Sequence, residues 1–119
     1  MKISMTLNND QLRTFSTEVH GELKPLLPGE TFPINNNSNI KLETLVEHRA
    51  LDMPTVLNFI VDTSVTMEVG LLTTWLYDKC RATNLDKLEI DDDLTKVDFK
   101  EIERKLAEEL KKLDTEKSE

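Results

Sequence analysis

Cysteine is nearly missing from this chain of 119 residues, and the one present, Cys80, cannot form an internal disulfide. A fold stapled by cystines is therefore excluded, and the usage suits a reducing compartment. Three glycines in the whole sequence leave no glycine-rich loop to cradle a phosphate group. His20 and His48 do not combine with Cys80 at zinc-ligand spacing. The opening residues MKISMTLNND carry no apolar export run. A cytoplasmic protein is the expectation. Basic charge is in deficit: the net charge is -8. That sign repels nucleic-acid phosphate and anionic lipid headgroups, so neither nucleic acid nor membrane is the expected partner.

What is present has the size of one domain with one core, expected over residues 1–113 with a polar, frayed tail at 114–119. Ile3, Met5 and Leu7 alternate with polar residues, the period of a half-buried strand. Asn9 and Asp10 then offer helix caps. Leu12, Phe15, Val19 and Leu23 fall on one helical face, and Pro25 predicts a stop near Lys24. Residues 25–39, with three prolines, Gly29 and an Asn-rich run, read as a loop. Residues 40–47 alternate again and predict a second strand, with a short helix capped by Ser38 as the alternative.

The segment Met53–Arg81 is the longest apolar-rich stretch. Asp52 and Pro54 mark a helix start, and Lys79 and Arg81 form a basic end. The favoured reading is one long central helix, bent near Gly70. Its β-branched residues, from Thr55 to Thr66, keep open a strand over 56–61 followed by a shorter helix. Beyond it, Leu88–Ile90 and Leu94–Val97 flank an acidic turn and predict a hairpin. A last helix starts at Asp98, with Glu101 at capping-box spacing. Its apolar stripe is Phe99, Ile102, Leu106, Leu110 and Leu113; Glu101–Lys105 and Glu108–Lys112 are i,i+4 pairs. The expected order is β-α-β-α-β-β-α: an α+β fold with a small mixed or antiparallel sheet packed by helices.

Catalytic chemistry is not legible. His48, Asp62 and Ser64 supply the residue types of a hydrolytic triad without a nucleophile elbow. Counted from Asp86, the sixth and twelfth positions of a calcium loop would be Asp91 and Val97, where glycine and glutamate are required. The expectation is no catalytic residues, no metal and no cofactor. Asn58, Asp62, Thr66 and Thr73, at steps of four, four and seven, define a polar ridge on the long helix. With His48 that ridge is the alternative reading, a small-ligand site or enzyme. A second alternative is insertion of helix 53–81 into a membrane. Asp62 and Glu68 oppose it, since an acidic group at the bilayer centre costs about 2.5 kcal/mol or more.

The pieces KISMTLN, DQLRTFSTEVHGEL, IKLETLVE, TTWLYDKCR, LEIDDDLTKV and DFKEIERKLAEEL occur in an order that resembles the effector-associated constant component proteins of bacteria. That resemblance implies an accessory protein of a bacterial defence or conflict system; a phage-borne inhibitor of a host protein is a close variant. It brings no catalytic residue with it. The favoured reading is a non-enzymatic protein-interaction or adaptor module with a protein partner or a second copy of itself. Leu71, Leu72, Trp75 and Leu76, at the end of the apolar segment, are the expected contact residues.

Overall fold

The computed structural model describes residues 1–35, 38–46, 54–61 and 68–117, with side chains to 112. Their order is β1 (Lys2–Leu7), α1 (Asn9–His20), β2 (Thr31–Asn35), β3 (Ser38–Val46), β4 (Thr55–Val61), α2 (Val69–Ala82), β5 (Lys87–Ile90), β6 (Asp93–Lys96) and α3 (Phe99–Lys117). The fold is α+β, as expected, and every strand pair is antiparallel, in the order β2-β3-β4-β1-β5-β6.

β1 forms because its period-two pattern suits a strand with one buried face. Ile3, Met5 and Leu7 are 0 to 1% exposed. It pairs with β4 on one side and β5 on the other, so the first strand of the chain lies inside the sheet. Against that face pack Phe15 of α1, Leu72, Leu76 and Cys80 of α2, and Ile102 and Leu106 of α3. On the opposite face a polar ladder crosses three strands. Ser4 donates to Asn58 Oδ1 at 2.6 Å, and Asn58 Nδ2 donates to Thr44 Oγ1 at 2.8 Å.

The long central helix is corrected. Thr55–Val61 is a strand, and the helix that follows begins only at Val69. β4 is covered on both edges, by β1 and β3, and buries Leu57, Phe59 and Val61 at every second position. Its outward residues Val56 and Ile60 are apolar too, which hides the alternation from a reading by periodicity. The β-branched content carries the information instead. Gly70 lies in the first turn of α2, not at a bend.

The loop reading of 25–39 is corrected as well: Thr31–Asn35 is a strand that buries Phe32. Pro33 is compatible because β2 is an edge strand, where a missing N–H costs no ladder bond. α1 is capped by Asn8, one residue before the expected caps, through a reciprocal box with Gln11 (2.8 and 2.9 Å). It stops at His20, four residues early, because Gly21 takes the left-handed conformation at φ 76°.

The expected hairpin is present, turning through Asp91 and Asp92 at φ 48° and 69°. Asp98 caps α3 by accepting from Lys100 N at 3.2 Å. That helix runs to Lys117, into the stretch expected as a tail.

Candidate functional site

The first turns of α1 and the segment after it form one side of an apolar groove. Helical spacing brings Leu12 and Ser16 to the same face, with Arg13 beside them. Leu23, Lys24, Pro25 and Leu26 make the outer wall, and Leu45 of β3 closes the end. The cavity is about 270 Å³. Leu23, on the outer wall, is 62% exposed and leaves apolar surface open at the mouth of the groove. The charged residues lining the groove are both basic, Arg13 and Lys24, and neither forms a salt bridge among the described residues.

A buried polar clasp fixes the outer wall. Ser16 Oγ donates to the carbonyl of Lys24 and lies 3.3 Å from His20 Nδ1. His20 Nε2 meets Glu30 Oε2 at 2.6 Å. The other carboxylate oxygen, Glu30 Oε1, accepts from Leu27 N at 2.7 Å. Burial pushes the Glu30 carboxyl up, but the His20 and Leu27 hydrogen bonds outweigh it and hold the group below its ordinary value. Backbone bonds tie the same residue to β3: Leu42 N donates to Glu30 O at 2.8 Å. The wall of the groove is thus anchored to α1 at Lys24 through Ser16 and at Glu30 through His20, and to the sheet at Glu30.

Ser16, His20 and Glu30 have the residue types of a nucleophile, a base and an orienting acid. Their geometry is that of a clasp. The Ser16 hydroxyl proton goes to Lys24 O, and Ser16 sits in mid-helix, where the neighbouring N–H groups are bonded to carbonyls one turn back. Those donors are therefore not available to an oxyanion. Sequence reading missed this cluster. Ser16 and His20 are at i,i+4 spacing, which was the available signal; Glu30 arrives across a proline-containing loop that no periodicity predicts.

The expected contact residues divide. Leu72 and Leu76 are fully buried and form the core. Leu71 is 39% exposed. Trp75 is half-buried, within 6.4 Å of the rings of Phe15, Phe32 and Phe59, with Lys79 Nζ 5.7 Å from its centroid. Of the expected polar ridge, the two described residues lie on different elements: Asn58 belongs to the strand ladder, and Thr73 donates to Val69 O at 2.7 Å inside α2. His48, Asp62, Ser64 and Thr66 lie outside the described residues. Cys80 is buried, and burial pushes its thiol up to about 12.

The acidic turn is engaged with lysines. Asp91 Oδ1 accepts from Lys2 N at 2.8 Å, Asp92 lies 3.7 Å from Lys2 Nζ, and Asp93 2.5 Å from Lys105 Nζ. Among the described residues no helix is long and apolar enough to cross a membrane, and the expected 53–81 helix is a strand and a shorter helix. Comparisons with protein families, curated proteins and solved structures return no match to this chain.

Proposed function

We propose that this protein is a non-enzymatic interaction module whose α1–β3 groove receives a short apolar segment of a partner protein flanked by acidic residues. The observation that carries this reading is the groove itself: a concave apolar surface with Leu23 exposed, rimmed by Arg13 and Lys24 on a chain of net charge -8. An apolar anchor of one or two side chains suits a cavity of about 270 Å³. Two cations beside it, Arg13 and Lys24 (the latter also in the field of Glu30), favour carboxylates on the incoming segment and disfavour basic ones. The clasp supports the reading because a wall held in place before binding lowers the ordering cost of association. A cytoplasmic accessory role in a bacterial conflict system, with the effector supplying the docking segment, rests on the sequence resemblance alone, because the observed order adds β2 and β4 and shortens the central helix.

A display library of short peptides tests the proposal. Enrichment of sequences with Leu, Ile or Phe flanked by Asp or Glu is the expected result, with binding lost in Leu23→Asp and weakened in Arg13→Glu. No enrichment, or binding indifferent to both variants, would overturn it. Binding of a medium-chain fatty acid in place of any peptide would replace it with a small-ligand reading.

A further inference from the structure

The hairpin base holds a second concavity with the opposite electrostatic character from the molecule as a whole. Lys87 and Lys96 are cross-strand partners at the open end of β5–β6. Like charges directly opposite one another destabilise an antiparallel pair. Arg81, in the last turn of α2, lines the same cavity, with its guanidinium carbon 5.7 Å from the Tyr77 ring centroid. These three cations, with Asn84, Asp86 and Val97, line a cavity of about 590 Å³ between the end of α2 and the hairpin.

What marks this cluster is that three cations without a salt bridge among the described residues line one cavity. Lys2, Lys79, Arg104, Lys105 and Lys112 each have a carboxylate within 4.0 Å. Arg81, Lys87 and Lys96 are exposed and have none among the described residues. The chain carries 23 acidic and 15 basic side chains, so carboxylates are in excess, yet one of them, Asp86, lines this cavity against three cations. The unfavourable Lys87–Lys96 juxtaposition is relieved if an anion sits between the two ammonium groups.

We propose that this concavity is a binding site for a phosphate dianion, free or as the phosphate of a small organic ester. Arg81 offers a planar fork that matches two phosphate oxygens, and the lysines supply point charges from the strand side. Asn84 contributes an uncharged amide at the rim. Asp86 opposes the anion and sets a preference for a compact ligand held toward the lysines.

The test is titration of the protein with sodium phosphate, and separately with glycerol phosphate, followed by amide chemical shifts, against sodium chloride at matched ionic strength. Saturable shifts confined to residues around 81–87 and 96–97 are expected, with affinity reduced about tenfold or more in the Lys87→Gln/Lys96→Gln double variant. Response to glycerol phosphate and not to inorganic phosphate would assign the site to an ester. Phosphate should also raise the melting temperature of the wild type and not of the double variant. That variant is expected to be at least as stable as wild type in phosphate-free buffer, because a repulsive pair has been removed. Shifts reproduced by chloride, or equal phosphate affinity in the double variant, would overturn the proposal; the groove reading would stand unaffected.

Discussion

Glu109 illustrates how single side chains hold this molecule together. It lies on α3 with its side chain 12% exposed, 3.0 Å from Lys105 Nζ and 3.2 Å from Lys112 Nζ. Lys105 in turn reaches Asp93, tying the helix to the hairpin. The Lys105 hydrogen bond is the main reason that the Glu109 carboxyl is held below its ordinary 4.5; partial burial opposes it and Lys112 adds to it. A carboxyl whose folded pKa lies below its unfolded value contributes stability above the unfolded pKa, and loses it as pH falls through the folded one. The wild type should therefore lose stability on acidification from about pH 5 downward more steeply than Glu109→Gln, which lacks that ionisation. Urea midpoints measured from pH 7 to pH 3 check this: the two curves should converge toward low pH. Curves that stay parallel would remove Glu109 from the acid response.

At the scale of elements, the β5–β6 hairpin carries a correctable strain. Asp91 and Asp92 both have positive φ, the geometry of a two-residue turn whose favoured second residue is glycine. Asp92→Gly should stabilise the protein by about 0.5–1 kcal/mol by removing the left-handed penalty. The lost Lys2–Asp92 contact, 81% exposed on the Asp side, matters little. Asp91→Gly should not help, because Asp91 Oδ1 holds the Lys2 amide. Thermal melting of both variants decides the point, and equal gains would show that the turn geometry is not what limits stability.

This hairpin was legible because two short apolar runs flank a polar turn. β1 and α3 were legible through clean periodicity, β3 through an alternation that breaks at Leu45, and α1 except at its ends. β4 was misread because both its faces are apolar, and β2 because Pro33 and the Asn run outweigh the single buried Phe32. The groove was illegible for a different reason. Leu12 and Leu23 were taken as one helical stripe, whereas Gly21 ends the helix and places Leu23 on the facing wall.

For the whole molecule, the decisive feature is that Lys2–Leu7 form an interior strand. β1 joins β4 to β5 and is the link between the β2-β3-β4 half of the sheet and the terminal hairpin. Ile3, Met5 and Leu7 are essentially fully buried. Burying each is worth about 1.5–3 kcal/mol, so the three together rival the roughly 5–15 kcal/mol net stability of a domain. Loss of the strand also leaves one edge each of β4 and β5 unpaired in the interior. A chain beginning at Asn8 should therefore show no cooperative thermal transition by circular dichroism, whereas Met5→Ala, costing about 2–5 kcal/mol, should weaken the fold if stability exceeds that cost. A synthetic peptide spanning residues 1–8, added in excess, should restore a cooperative transition to the shortened chain. Cooperative melting of that chain without the peptide, near the wild-type temperature, would show that the α2–α3 layer holds the two halves of the sheet together without β1.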